Sequence, residues 1–272
     1  MMRRVMHPAL ILLFGLLASS EAIAQTGAGT GYYVRGQAGY AWPSLGDVNS
    51  QIRSEGTDLR QVSTLLDWEE LSGGGRYSAE LGYAFTPVFS LGVELGYQKS
   101  ARDHSADILF NTGTAIVSGR VEQKVEASLL SVMLTPTFRV PSNPGLHVGA
   151  QIGMGRGSFD RRETDDVGAS DGTFVVATII EEFEETAFTG GLFAGYDFPV
   201  SPQVGFSMRA GYLVSSFSSM EGPYSANGYT ELGPFSDSGS APLTDSGGNA
   251  LEVSFNGLNL SAGIVFRFAS GH

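Results

Sequence analysis

The segment FSLGVELGYQ, residues 89 to 98, alternates between apolar side chains and small or polar ones. One set of alternate positions is apolar from Phe89 to Tyr97, and the other set contains a single charged residue, Glu94. A period of two is that of a β-strand, whose successive side chains point to opposite faces of a sheet. In a water-soluble sheet the apolar face would turn inward and Glu94 would face solvent. The rest of the chain decides which face is the outer one.

Seven further segments show the same alternation, so the chain is predicted to contain eight β-strands. They are residues 31–42, 77–85, 130–140, 146–154, 187–198, 204–214 and 258–268. Three connections are short and contain proline, namely residues 86–88, 141–145 and 199–203. Four are far longer than ordinary hairpin loops, namely residues 43–75, 99–125, 157–185 and 215–253. The alternation of lengths predicts an all-β fold: an eight-stranded antiparallel transmembrane β-barrel with short periplasmic turns and long extracellular loops.

A soluble β-sandwich or barrel is the alternative, and the residues of the outer face argue against it. A soluble protein keeps lysine and other charges on its solvent face, but after residue 24 the chain has two lysines, Lys99 and Lys124. The aromatic residues of the apolar faces form two groups. Those at the long-loop end are Tyr40, Trp42, Tyr77, Tyr97 and Tyr212, and those at the short-turn end are Phe85, Phe89, Phe138, Phe198 and Phe268. Two aromatic belts are typical of membrane interfaces, so the apolar face is predicted to lie outside.

The amino-terminal segment, residues 1–24, has the order of a secretory signal peptide. Arg3 and Arg4 are followed by a short apolar run and by small residues before Gln25. Residues 25–272 are therefore predicted to form the barrel domain. The chain has no cysteine, so the exported protein has no disulfide bonds to stabilise it. Its net charge of −12 excludes nucleic acid as an expected partner.

Acidic residues are concentrated in three of the long loops, residues 43–75, 157–185 and 215–253. Solubility explains this charge most simply, and divalent-cation binding or recognition at the cell surface are the functional alternatives. The candidate oxygen ligands for calcium are Asp160, Glu163, Asp165 and Asp166, or Glu181, Glu182, Glu184 and Glu185. The Ser- and Gly-rich stretch from Ser215 to Gly248 is expected to be mobile and suited to variable contacts.

The last predicted strand resembles the assembly signal of outer-membrane barrels. Ser261 is followed two positions later by Gly263, and Phe266 and Phe268 occupy alternate positions at the end of the strand. Such signals normally end the chain, whereas residues 269–272 follow here. The pattern implies recognition by the barrel-assembly machinery.

The mature chain as a whole resembles the small eight-stranded outer-membrane proteins, the family of the OmpA transmembrane domain and the opacity-type surface proteins. The resemblance implies a location in the outer membrane of a Gram-negative bacterium, with both termini in the periplasm. It also implies contact with outer-membrane lipid and lipopolysaccharide. OmpA-like chains often continue into a peptidoglycan-binding domain, and this tether is not expected here.

Four charged residues on the inner faces are predicted to form a charge network in the barrel lumen: Arg35, Glu80, Glu94 and Arg209. Arginine suits such a network because its planar guanidinium can bond two carboxylates at once. Gln151 and Thr135 are the expected neutral neighbours, and a second set at the periplasmic end comprises Arg139, His147, Asp197 and Arg267. The alternative is a solvated lining without specific pairs.

The predicted function is that of a non-enzymatic surface barrel that contributes to envelope integrity and presents acidic extracellular loops to a host molecule, partner cell or ligand. A narrow channel is the first alternative, and a lipid-modifying barrel enzyme is the second. Residues 102–107 bring an Asp, a His and a Ser together in sequence, but neighbours on an extended chain point apart and lack the rigid support that catalysis needs. No cofactor and no metal are expected.

Overall fold

The computed structural model describes residues 30–245 and 248–269. The predicted signal peptide, residues 1–24, and the last three residues lie outside the described part of the chain. Within it, no helix has the length and apolar character that crossing a membrane requires.

The described residues form one helix and β-strands that pair antiparallel throughout. In chain order the elements are β1 (Gly31–Pro43), α1 (Gly46–Leu59), β2 (Ser63–Asp67), β3 (Gly74–Ala84), β4 (Phe89–Asn111), β5 (Ile116–Val140), β6 (Asn143–Ala169), β7 (Phe174–Pro199), β8 (Val204–Phe217), β9 (Glu221–Thr230), β10 (Gly233–Pro242), β11 (Val253–Ser254) and β12 (Gly257–Ala269). Eight strands form a closed ring in the order β1, β3, β4, β5, β6, β7, β8, β12, and β12 pairs with β1 to close it. The predicted eight-stranded antiparallel barrel is confirmed.

Burial shows which face of each strand is the outer one. On β4, Glu94 is 1% exposed, whereas the next residue, Leu95, is 52% exposed. Aromatic residues cluster at both ends of the apolar outer surface. Near the short turns the ring centroids of Phe89 and Phe138 are 5.0 Å apart, and at the opposite end those of Tyr40 and Trp42 are also 5.0 Å apart. The apolar residues therefore face outward, as predicted, and the polar ones line the interior.

Two of the predicted long loops, residues 99–125 and 157–185, are instead continuations of the barrel strands. Strands β4 and β5 are joined by a turn at residues 112–115, and β6 and β7 by one at residues 170–173. The alternation persists there: charged residues such as Asp160 lie on the outer side, whereas Phe159 and a smaller set of charged residues such as Arg161 lie inside. The prediction located strands by their lipid-facing apolar residues, so it ended these strands too early. Beyond the membrane the strands are surrounded by water rather than lipid, and their outer residues are no longer apolar.

The first long loop, residues 43–75, folds into helix α1 and strand β2. Val48 and Ile52 of the helix are buried over the barrel interior. The Asn49 side chain anchors the helix, since it donates to the backbone carbonyl oxygens of Ser44 and Leu71 and accepts from the Leu71 amide, at distances of 3.0 to 3.1 Å. The helix is thus held as a cover on the extracellular opening.

The last long loop, residues 215–253, contains a β-hairpin where a mobile segment was expected. Strands β9 and β10 pair with each other, and β9 also pairs with the upper part of β7. The following segment turns back inward and buries Leu243, Leu251 and Val253. Backbone pairing with β7 gives residues 221–242 a regular structure that side-chain composition did not indicate, and the mobility of the segment stays a prediction.

Carboxylates meet on the outer side of these extended strands. Glu126, Asp160 and Glu182 are direct cross-strand neighbours on β5, β6 and β7. Burial, and then the charges of Glu126 and Glu182, raise the pKa of Asp160, and Lys99 partly opposes this. The folded protein therefore binds the Asp160 proton more tightly than the unfolded chain, so this residue costs stability once the pH rises through its folded pKa.

Replacing Asp160 by asparagine is accordingly expected to raise the free energy of unfolding at pH 7 by a few tenths to about 1 kcal/mol. The difference should vanish in acid, where the carboxyl group is protonated and neutral in both states. Asp171 is the matched control. Its carboxylate accepts a hydrogen bond from the Thr173 backbone amide and its pKa is lowered, so Asp171→Asn should destabilise near pH 7. Urea unfolding of the refolded protein at several pH values measures both, and a destabilising Asp160→Asn would contradict the repulsion.

Candidate functional site

The four residues of the predicted charge network lie inside the barrel, and three of them are at neighbouring positions of adjacent strands. Arg35 on β1 is the cross-strand partner of Glu80 on β3, and Glu80 is the partner of Glu94 on β4. Arg209 reaches them from β8, and all four side chains are buried. Alternation put these side chains on the polar faces of their strands, and hairpin pairing set Arg35, Glu80 and Glu94 at the same height.

Glu80 is the centre of the network. Its Oε2 accepts from Arg35 Nη1 at 2.7 Å and from Arg209 Nη2 at 2.6 Å. Its Oε1 accepts from the Tyr33 hydroxyl at 2.6 Å. One carboxylate therefore receives two guanidinium groups and a phenol.

Glu94 is bonded by two residues that the sequence suggested, Arg209 and Gln151, and by one that it did not, Arg76, while Arg35 does not bond it. Arg209 Nη1 donates to its Oε2 at 3.1 Å, while Arg76 Nη2 at 3.2 Å and Gln151 Nε2 at 2.7 Å donate to its Oε1. Arg209 thus bridges Glu80 and Glu94. The expected neighbour Thr135 is buried, but its hydroxyl has no hydrogen-bond partner within the described residues.

Arg35, which bonds Glu80 through Nη1, is directed toward the periplasmic end with its other terminal nitrogen. Its Nη2 lies 3.3 Å from Asp197 Oδ2. The same carboxylate binds Arg267 Nη2 at 2.8 Å, and Arg139 Nη2 and His147 Nδ1 each lie 4.0 Å from it. The two sets that the sequence separated are therefore joined by Arg35 into one array.

This array is called the lumen network below. It consists of Arg35, Arg76, Glu80, Glu94, Arg139, Asp197, Arg209 and Arg267. Five guanidinium groups share three carboxylates, so carboxylates are the scarcer partner. Loss of a carboxylate should therefore cost more stability than loss of an arginine at the partly exposed periplasmic end.

Sequence reasoning missed Arg76 because it began the second strand at Tyr77. Strand β3 begins at Gly74, and Arg76 is on the same face as Ser78 and Glu80. Extending the alternation backward by one residue would have found it.

A glycine makes room for the network. A Cβ atom added to Gly92 on β4 would lie 2.5 Å from Glu80 Oε1. The small residue on the inner face beside Glu94 is thus required by the space that the Glu80 side chain occupies. Other inner-face glycines make room for large side chains in the same way, as Gly82 does for Tyr33 and Gly149 for Phe193.

An apolar layer covers the lumen network on the extracellular side. Met133, Leu129, Leu213 and Phe217 from the barrel wall are buried together with side chains of α1 and of residues 243–255. The interior therefore contains a polar layer within the membrane section and an apolar layer above it. Both are formed by side chains of this chain.

The predicted assembly signal lies on β12, the strand that closes the ring. Ser261 and Gly263 pair with β1 and β8 through the backbone, and the rings of Phe266 and Phe268 face outward. The geometry is that of a lipid-facing closing strand. Recognition by the assembly machinery stays a prediction.

The Asp–His–Ser stretch lies on the extracellular part of β4. The ring of His104 is buried, its Nε2 is 2.7 Å from the backbone carbonyl oxygen of Glu69, and it stacks on Trp68 with centroids 4.9 Å apart. Asp103 and Ser105 lie on the opposite face of the strand. The three side chains therefore do not converge, and His104 serves to hold the segment before β3.

The candidate calcium ligands do not assemble either. Among residues 30–245 and 248–269, no group of three or more His, Cys, Asp or Glu side chains has the arrangement of a metal site. Several of the acids are paired with arginine instead, as Arg161 is with Glu163 and Glu181.

Comparison with known proteins identifies the family. The family model described as the outer membrane protein beta-barrel domain matches residues 9–266. No curated protein sequence matches this chain significantly.

Solved structures with a similar arrangement are distant in sequence. A major outer membrane protein from Thermus thermophilus is 14% identical with a TM-score of 0.41, over 88% of this chain and 99% of that one. OprG from Pseudomonas aeruginosa is 11% identical with a TM-score of 0.37, over 89% and 97%. The outer membrane protease OmpT from Escherichia coli is 10% identical with a TM-score of 0.36, over 92% and 100%. Because the family match extends over nearly all of the described residues, the chain belongs to the outer membrane protein β-barrel family and is located in the bacterial outer membrane.

Proposed function

We propose that the protein is a non-enzymatic surface barrel that contributes to envelope integrity and presents its acidic extracellular part for contacts at the cell surface. The closed interior carries this proposal. The lumen network fills the membrane section, and the apolar layer covers it from outside. An eight-stranded barrel has an interior just wide enough for side chains, so these groups leave little space for solutes. The membrane section then acts as an anchor.

The extracellular extension is the part available for contacts. Strand β6 continues for thirteen residues beyond Arg156, to Ala169, which corresponds to roughly 40 Å of strand. Exposed apolar side chains lie at its far end, beside the charged cross-strand row of Asp107, Arg120 and Asp166: Leu109, Ile116, Phe174, Val176 and Tyr229. Exposed apolar groups rimmed by polar ones are typical of interaction surfaces.

Partners follow from this placement. The outer belt contacts membrane lipid, and on the extracellular side it meets lipopolysaccharide. The barrel-assembly machinery is the proposed partner during insertion, through the Phe268-ended strand. The surface partner is a host molecule, another cell or a dissolved ligand that meets the acidic extension.

A narrow channel and a lipid-modifying enzyme are the rival functions. The channel requires a continuous water path past Glu80 and Glu94, where Arg35 and Arg209 now lie. The enzyme requires a nucleophile and a base within hydrogen-bond reach, and the His104 ring is committed to a backbone carbonyl. These observations support the non-enzymatic proposal.

A strain that lacks the protein tests both halves of the proposal. We expect it to take up more of a hydrophobic fluorescent dye and to show weaker cell–cell aggregation than the wild type. The full-length gene should restore both properties. Removing the β9–β10 hairpin is a sharper variant, because the Leu243 amide already bonds the Met220 carbonyl oxygen at 2.8 Å and a short turn can join these ends.

The hairpin-deleted protein should restore the dye barrier, since the barrel and the lumen network are intact, but it should restore aggregation less than the wild type. Immunoblots of outer membranes control for its level. The proposal is wrong if loss of the whole protein changes neither property.

A further inference from the structure

A cavity of about 270 Å³ lies on the extracellular side of the barrel, among helix α1, strands β5 to β7, residues 241–244 and Leu251. Its volume is near the lower end of the roughly 300 to 1,000 Å³ that is usual for ligand pockets. Apolar side chains form much of its wall: Ile52, Val125, Phe159, Phe183 and Leu251. The two phenylalanine rings are nearly parallel, with centroids 6.5 Å apart. The wall suits a small aliphatic or aromatic body.

The polar side of the cavity is negatively charged. Arg161 lines it and lies 3.5 Å from Glu55, 3.0 Å from Glu163 and 3.5 Å from Glu181. Glu55 and Glu181 line the cavity as well. Three carboxylates share one guanidinium group, so the cluster has an excess of negative charge and attracts a cation.

A buried amide adds a free acceptor. Gln123 is 3% exposed and lines the cavity. Its Nε2 donates to Glu163 Oε2 at 3.0 Å and lies 3.4 Å from Glu55 Oε2, which fixes the orientation of the amide. Its Oε1 is buried and has no hydrogen-bond partner among the described residues. A buried acceptor without a donor is costly, and a ligand N–H group would satisfy it.

Gln51 on helix α1 repeats this arrangement. Its Nε2 donates to Glu55 Oε1 at 3.0 Å, and its buried Oε1 has no partner among the described residues. Both glutamines thus direct their donors to Glu55 and keep an acceptor free. Two acceptors beside excess carboxylate charge select a ligand that donates hydrogen bonds and is positively charged.

We propose that this cavity binds a small amphipathic cation, with its amine or guanidinium group at Glu55, Glu181 and Gln123 and its apolar body against Phe159 and Phe183. An anion is disfavoured because Arg161 is the one cation among the described residues that line the cavity, and three carboxylates lie within 3.5 Å of it, although its buried Nε has no hydrogen-bond partner among those residues. A bare metal ion is disfavoured by the apolar wall. The site goes beyond surface contact and does not depend on it, since the cavity lies inside the extension rather than at its tip.

The test uses amines and alcohols of the same shape. Phenethylamine and hexylamine, and their counterparts phenethyl alcohol and hexanol, are titrated into the refolded full-length barrel in lipid nanodiscs, with empty nanodiscs as the baseline. Calorimetry measures saturable binding. We expect at least one of the amines to bind, roughly tenfold or more tightly than its alcohol, because charge-assisted hydrogen bonds are lost with the nitrogen.

Three variants locate the site. Glu181→Gln removes a carboxylate and should weaken amine binding roughly tenfold. Ala241→Phe leaves every charge in place and fills the cavity, so it should abolish binding. Glu231→Gln also removes one negative charge, but at the exposed turn of the β9–β10 hairpin and not in the cavity wall. It should have no effect on amine binding. Retention of the heat-shifted gel band shows that each variant is folded.

Four results would overturn the proposal: no saturable binding of either amine, equal binding of amine and alcohol, equal binding by wild type and Ala241→Phe, or an equal loss in Glu181→Gln and Glu231→Gln. The last result would indicate attraction to the acidic surface as a whole. None of them bears on dye uptake or aggregation, so failure here is distinguishable from failure of the proposed function.

Discussion

Glutamine in place of Glu80 is expected to lower the free energy of unfolding of the barrel by about 3 to 5 kcal/mol, the usual cost of removing one partner from a buried ion pair. Arg35 and Arg209 both bond Glu80 Oε2, and neither can reach water in the packed interior. The remaining two carboxylates would then face five guanidinium groups. Urea unfolding of the refolded protein, followed by tryptophan fluorescence, measures the change.

Glu231→Gln is the matched control for Glu80→Gln. It makes the same chemical change at an exposed turn, where substitutions typically alter stability by less than about 0.5 kcal/mol. Arg267→Gln should fall between the two, because Arg267 is partly exposed and arginines are in excess. Equal stability of wild type and Glu80→Gln would mean that the lumen is a solvated lining without specific pairs.

Arginine in place of Leu95 is expected to destabilise the barrel in lipid by about 2 to 4 kcal/mol, the range for a cation on the lipid face near the bilayer midplane. Leu95 follows the buried Glu94 directly but is 52% exposed on the outer surface. Its cross-strand partners, Ala79 and Val132, are on the same apolar outer surface of the barrel. The same unfolding measurement, made in phospholipid vesicles, gives the cost.

Ala101→Arg is the control for Leu95→Arg. Ala101 is on the same strand and the same face, six residues further along β4, and it is also exposed. If the extension is in water, arginine is tolerated there. Equal costs at the two positions would contradict a membrane boundary between them.

The barrel was predictable from the sequence because lipid outside and polar groups inside give every spanning strand the same two-residue period. The position of Glu94 illustrates this. Its neighbours put it on the polar face of its strand, and the two aromatic belts and the scarcity of lysine identify that face as the interior. Hairpin pairing of consecutive strands likewise placed Arg35, Glu80 and Glu94 side by side.

Contacts across the lumen were not predictable in this way. Arg35 lies beside Asp197, 162 positions later in the chain. The two residues meet because closure of the ring brings the inner faces of β1 and β7 together across the lumen. Helix α1 and the β9–β10 hairpin are held by contacts with distant parts of the chain. Such contacts produce only a weak signal in the local pattern of apolar and polar residues. The strand extensions were missed because their outer face is charged, so they lack the lipid-facing period used to find strands.

Current recording across a planar lipid bilayer tests the closed interior most directly. The account predicts that the purified, refolded protein inserts but gives no stable unitary conductance, because the lumen network and the apolar layer above it block the water path. Insertion is verified separately by the heat-dependent shift in gel mobility. Reproducible unitary steps from the wild-type protein would contradict the account and favour the narrow channel.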